Sequence, residues 1–152
     1  MRVVKGLDEL EHLVGVELGT SEWVTVTQEM VTAFSDVTGD HQWIHLDAER
    51  AAREVPVGGP IVQGFFTLAL VVKFQAEILA VHGVVRLVNY GLNRVRFPAP
   101  VRVGTRVRGT QTLVAAEWIA PDALRVTSSF VVEADGMEKP ACVAETVMLV
   151  YA

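Results

Sequence analysis

A chain of 152 residues with 51% hydrophobic and 20% charged residues is one domain's worth of sequence, too short for two full domains and too apolar to stay unfolded. A single cysteine, Cys142, excludes an internal disulfide, and with only four scattered histidines beside it a cysteine-rich zinc site is excluded too, which points to a reducing, cytoplasmic compartment. The net charge of −5 argues against nucleic acid as a partner, although Arg86, Arg94, Arg96, Arg102, Arg106 and Arg108 all fall in a stretch, Ile78 to Ala116, that holds no acidic residue.

The first residues, Met1 to Gly6, carry no apolar run of signal-peptide length, so no export is expected. Asp8 with Glu11 three residues on predicts a short helix over Asp8 to Leu13. Trp23 to Val26 has the composition of a short strand. Thr27 is a good N-cap, and Met30, Val31 and Phe34 at helical spacing predict an amphipathic helix from Gln28 to Phe34, ending before Thr38-Gly39. Asp47 caps a further short helix, Ala48 to about Arg53, and Pro56, Gly58, Gly59 and Pro60 mark a break.

From Ile61 to about Ala80 the sequence is apolar nearly all round, the pattern of a helix buried inside a protein. Its longest apolar run, Ile61 to Val72, is interrupted by Gln63, Gly64 and Thr67 and stopped by Lys73, too short to cross a membrane. Beyond Gly83 the pattern changes to β-branched alternation over Val84–Phe97, Val101–Trp118, Leu124–Ala134 and Ala141–Tyr151. One long apolar helix followed by a long antiparallel meander predicts a single α+β domain over residues 1–152, with an antiparallel sheet wrapped around a central helix, the outline of the hot-dog fold. Such a sheet has an open edge and an open face, so a homodimer is expected.

Polar residues gather in Thr38-Gly39-Asp40-His41-Gln42-Trp43-Ile44-His45-Leu46-Asp47. A carboxylate and an imidazole on one short loop, Asp40 and His45, can hold a water between them, one accepting its proton while the other orients it or donates to a substrate. Gly39 supplies the backbone freedom the loop needs, and the helix expected after His45 disfavours the imidazolium. On spacing alone, Asp40 as a turn residue and His45 as a structural histidine fit the pattern better than a catalytic pair does.

The same segment resembles the hydratase motif of the MaoC-like (R)-specific enoyl-CoA hydratases, where Gly-Asp is followed five residues later by His. Ile61-Val62-Gln63-Gly64-Phe65 is similar to that family's element at the start of the central helix, and Asn89-Tyr90-Gly91-Leu92-Asn93-Arg94-Val95-Arg96-Phe97-Pro98-Ala99-Pro100 to its subgroup related to nodulation protein N. The resemblance implies a hot-dog fold and reversible hydration of a trans-2-enoyl thioester to an (R)-3-hydroxyacyl thioester, with no cofactor beyond the coenzyme A of the substrate. It places Asp40 and His45 as the catalytic pair and the Gly64 amide as the donor that polarises the thioester carbonyl. A helix N-terminus suits that role because its amide and dipole stabilise enolate charge. The chain departs from many relatives at Gln63, where they carry His, and in the apolar stretch Leu68 to Val72, where some carry Ser.

Gln63, Phe65 and Asn89 in these blocks are expected to line the substrate site. Arg94 and Arg96 share one face of a strand, as do Arg102, Arg106 and Arg108. They form either a solvated sheet face or, as fork-shaped donors, a site for the phosphates of coenzyme A. Two other functions fit the same fold: a hot-dog thioesterase, and an acyl-thioester binder without turnover. His41 and His45 at i and i+4 are the one metal-like spacing, and the loop around Gly39 argues against it; no metal, nucleic acid or membrane partner is expected.

Overall fold

The β-branched alternation of the second half of the chain becomes three consecutive antiparallel strands, β6 (Arg106–Ala120), β7 (Ala123–Ala134) and β8 (Cys142–Tyr151), in the computed structural model, which describes residues 1–152. Every second residue of β7, from Leu124 through Val126, Ser128, Phe130 and Val132, faces inward and is buried, as period-two alternation requires. β2 (Glu17–Thr20) and β3 (Val24–Thr25) pair with the outer side of β6. β5 (Arg86–Arg96) does not pair with β6. It runs against β8 at the opposite edge, giving the order β2-β6-β7-β8-β5.

The expected four-strand meander is therefore three strands plus one strand that crosses over. The segment Phe97 to Thr105 makes that crossing, with two prolines and only an isolated bridge, Ile61 to Arg102, in place of the first residues of the expected Val101–Trp118 strand. Prolines cannot donate to a ladder, so the chain leaves the sheet there.

The sheet wraps α5 (Gly64–Ile78), as the hot-dog outline requires. Phe74, fully buried, reaches the sheet where Gly109 leaves room; a Cβ on that glycine would stand 2.6 Å from the ring. Thr67, Leu70, Val71, Phe74 and Ile78 form the buried stripe. The opposite stripe is open: Phe65 is 72% and Val72 60% exposed. Beside it, Leu87, Val88, Tyr90 and Leu92 of β5 are exposed as well. A helix apolar all round is thus covered on one side only in a single chain.

The small elements shift from the expected bounds for local reasons. α1 (Gly6–Glu11) starts before Asp8 because Glu9, rather than Glu11, reaches back to accept from the Lys5 amide at 2.7 Å. β1 (Arg2–Lys5) and β4 (Leu79–His82), which end the central helix early at Ile78, pair in parallel as a separate two-stranded sheet. α2 (Gln28–Thr38) begins at the expected Thr27 cap, whose hydroxyl accepts from the Met30 amide, and runs on to Thr38, where Gly39 closes it in the left-handed region at φ 75°. A single turn, α3 (Trp43–Leu46), forms inside the expected loop. α4 (Ala48–Glu54) follows with Asp47 accepting from the Arg50 amide at 2.9 Å. No helix is long and apolar enough to cross a membrane.

Candidate active site

Three chain segments meet at the N-terminal end of α5. The left-handed Gly39 turns the chain sharply off α2 and delivers Asp40. α3 then presents His45, and the extended residues Ile61 to Gln63 lead into Gly64. These segments are tied by backbone and side-chain bonds rather than by apolar packing alone. The Ile61 amide donates to the Ile44 carbonyl at 2.9 Å, and the Gln28 side-chain amide donates to the His45 carbonyl at 2.9 Å.

His45 is buried, with its side chain 6% exposed, and Asp40 lies nearer the surface at 35%. The Nδ1 of His45 is 2.6 Å from the Ile61 carbonyl oxygen. A carbonyl only accepts, so Nδ1 carries the hydrogen, and in the neutral ring Nε2 is left with its lone pair. That nitrogen faces Asp40 Oδ2 at 3.6 Å, too long for a direct hydrogen bond. Asp40 Oδ1 accepts from the Gln42 side-chain amide at 3.0 Å, which orients the carboxylate. Two acceptors facing each other across 3.6 Å form a seat for one water that donates a hydrogen to each.

Gly64 is the first residue of α5, and Gln63 before it makes no side-chain cap, so the amides of the first turn keep their donors free of it. The absent Cβ of Gly64 is matched by Phe97, whose ring atoms would lie 2.9 to 3.1 Å from a methyl there. Phe97 in turn meets Phe65 edge to face, with centroids 6.1 Å apart. The small size of this glycine thus seats an aromatic ring beside the helix end. A cleft of about 290 Å³ opens between Gly64, Thr67, Phe97 and Val101. Further along the helix a groove of about 250 Å³ runs between Leu68, Val71 and Val72 of α5 and Asn89 and Leu92 of β5.

Asp40 and His45 therefore come together, and His45 is bonded to Ile61, three residues before Gly64; Phe65 follows Gly64 and meets Phe97, and Asn89 lines the groove along α5. Gln63 is 3% exposed and turns its amide away from the cleft toward α2. Arg94 and Arg96 flank Val95, which packs on the core, so they lie on the other face of β5. Neither makes an ion pair; Glu145, opposite Arg94 in the ladder, accepts from the Asn93 amide instead. Arg106 and Arg108 are ion-paired with Asp135 and Glu133 and lie over Trp23. Arg102 precedes β6 and does not share their strand. His41 pairs with Asp36 at 3.0 Å on the surface, away from His45, and no three His, Cys, Asp or Glu side chains converge as metal ligands.

Four contributors went unnoticed in the sequence: Gln28, Ser35, Gln42 and Phe97. Ser35 did leave a signal, since it stands four residues after Val31 on the buried stripe of α2, where an apolar residue is the rule. Cys142 is buried in β8, and burial pushes its thiol up to about 11.

The sequence matches the MaoC like domain over residues 9–132. It is 50% identical over 148 residues to 3-hydroxyacyl-thioester dehydratase Z of Mycobacterium tuberculosis, covering 97% of each chain. It is 40% identical over 151 residues to nodulation protein N of Rhizobium meliloti, covering 94% of this chain and 89% of that one. Among solved structures, the (R)-hydratase from A. caviae involved in PHA biosynthesis superposes with a TM-score of 0.71 at 24% identity, over 88% of this chain and 96% of that one.

Proposed function

This chain belongs to the MaoC-like dehydratase family, and from that premise we propose that it is an enoyl-CoA hydratase, adding water reversibly and (R)-specifically to trans-2-enoyl-CoA. The observation that carries the proposal is the 3.6 Å separation of His45 Nε2 and Asp40 Oδ2, with Nδ1 already committed to Ile61.

In this mechanism the water donates one hydrogen to Asp40 and the other to His45 Nε2. As its oxygen bonds to C3 of the enoyl chain, the proton passes to Nε2 and the π electrons move through C2 onto the thioester oxygen. The Gly64 N–H, at the positive end of α5, stabilises that enolate. The adjacent Asp40 carboxylate stabilises the imidazolium, which then returns its proton to C2. One water is consumed, one C–O and one C–H bond form, and the pair is restored. General acid–base catalysis of this kind contributes about 10²–10⁴ in rate, and one oxyanion donor about 10²–10³. No metal or cofactor is needed beyond the coenzyme A of the substrate, and a cytoplasmic setting follows from that pool and the single reduced cysteine.

The acyl chain lies in the groove along α5, past Phe65 and Asn89, and the free cations Arg94 and Arg96 hold coenzyme A phosphates, in this chain's site or a partner's. The open stripe of α5 and the exposed apolar residues of β5 support a homodimer; sedimentation at the monomer mass would contradict it.

The test is the enoyl-thioester absorbance of crotonyl-CoA with purified protein, followed alongside free thiol. Loss of absorbance without thiol release is expected. Thiol release would mark a thioesterase, and binding with no change in either signal a non-catalytic binder; both overturn the proposal.

A further inference from the structure

Gln63 is a buried polar side chain in a position that looks wasteful. Its Nε2 donates to Ser35 Oγ at 2.9 Å and to the Val31 carbonyl at 3.3 Å, but its Oε1, equally buried, has no donor at all. A buried acceptor without a partner costs stability. A second such oxygen, on Gln111, lies in the core against Ser128, remote from the site.

An apolar side chain of similar length would fill the space of Gln63 without that cost. Nor would its loss strand the groups it touches. The Ser35 hydroxyl can donate to the Val31 carbonyl one turn back in its own helix. The donor role of Gln63 therefore adds little that the fold needs.

What the amide does is join two elements that each deliver one half of the site. Ser35 lies one turn before the end of α2, and its carbonyl accepts from the Gly39 amide at 2.8 Å, the bond that sets the turn into Asp40. Gln63 is the residue immediately before the Gly64 amide. No other side-chain hydrogen bond runs between α2 and the start of α5. Gln28 ties α2 to the His45 carbonyl instead, and His45 is tied to Ile61.

From this we infer that Gln63, through Ser35, is a positioning residue that holds the Asp40 carboxylate in register with the Gly64 amide, so that attack at C3 and charge at the thioester oxygen are served together. This rests on the hydratase function proposed above. A misplacement of about 1 Å can cost on the order of a hundredfold in rate without any contact to the substrate being lost. The orphaned oxygen is then the stability cost of a site feature.

The experiment compares wild type, Gln63→Met, Ser35→Ala and the double variant, reading kcat and KM for crotonyl-CoA, the melting temperature, and the amide NMR resonances of Gly39, Asp40 and Gly64. The expected result is a kcat lowered about tenfold or more in each single variant, with KM within about twofold and the melting temperature of Gln63→Met equal to or above wild type. The double variant should be no slower than the worse single one, because both break one link. The Asp40 and Gly64 amides should shift together in both single variants.

Wild-type kcat in Gln63→Met, additive losses in the double variant, or a kcat loss that only follows a lowered melting temperature would overturn the inference. If wild type itself does not hydrate crotonyl-CoA, the hydratase function fails. The resonances still decide the coupling: shifts confined to the neighbours of residue 63 overturn it, and joint shifts at Asp40 and Gly64 sustain it.

Discussion

The Nδ1 of His45 stands 2.6 Å from the carbonyl oxygen of Ile61, and this one bond decides which nitrogen faces Asp40. An asparagine can place its amide nitrogen near Nδ1 but has nothing at Nε2. His45→Asn should therefore keep the bond to Ile61 and melt within a few degrees of wild type, while kcat falls by about 10²–10⁴. Circular dichroism melts beside turnover check it; a variant that unfolds instead would make His45 chiefly structural.

Gly64 and Phe97 are predicted to be coupled. A methyl at Gly64 would stand 2.9 to 3.1 Å from three ring atoms, so Gly64→Ala must displace the ring or the helix end. We expect a loss of about 1–3 kcal/mol in stability, from overpacking at this contact. Phe97→Leu in the Gly64→Ala background should recover part of that loss, giving a coupling of about 0.5 kcal/mol or more in a double-mutant cycle by urea denaturation. Strict additivity would show that the contact is not felt.

The arginines divide by their partners. Arg94 and Arg96 make no ion pair, although Glu145 stands opposite Arg94 across the ladder, whereas Arg106 and Arg108 are committed to Asp135 and Glu133. Removing Arg94 and Arg96 together should raise KM for crotonyl-CoA and flatten its salt dependence, with kcat little changed. Arg106→Ala should leave KM within about twofold, since an ion-paired guanidinium offers little to a phosphate. Equal effects from both sets would sink the division.

Cys142 gives a pH dependence with a definite sign. Burial raises its thiol from the ordinary 9.0 to about 11. Between those values the unfolded chain has released the proton and the folded chain has not, so the unfolded state binds fewer protons and stability falls as pH rises. The contribution is intact below pH 9.0 and is lost on the way through about 11. Denaturation midpoints should drop over that window in wild type and drop less in Cys142→Ala. The thiol should also resist aromatic disulfide reagents until the protein unfolds.

Much of this architecture was legible because it rests on local signals. The Thr27 and Asp47 caps, the alternation of Leu124 to Ala134 and the apolar run into Phe74 each name their own element. The position of β5 was not legible. Its alternation marks a strand, but pairing with β8 rather than β6 is set by the crossing at Pro98 and Pro100, a long-range choice that no local pattern encodes. The site divides the same way. Asp40, His45 and Gly64 stand in recognisable motifs, whereas Ser35 and Gln28 act through partners 28 and 17 residues away. Neither distance has a signature in the sequence, and Gln63 was expected to meet substrate because its motif does not reveal that its amide faces α2.

The central claim is that Asp40 and His45 share one water whose addition Gly64 assists. The most direct measurement is the rate of crotonyl-CoA hydration by wild type and by Asp40→Asn, an uncharged substitution of the same shape. Wild-type turnover with a loss of about a hundredfold or more in kcat, at an unchanged melting temperature, is the predicted result. Asp40→Asn turning over as fast as wild type would contradict it, because the carboxylate facing His45 would then have no part in the chemistry.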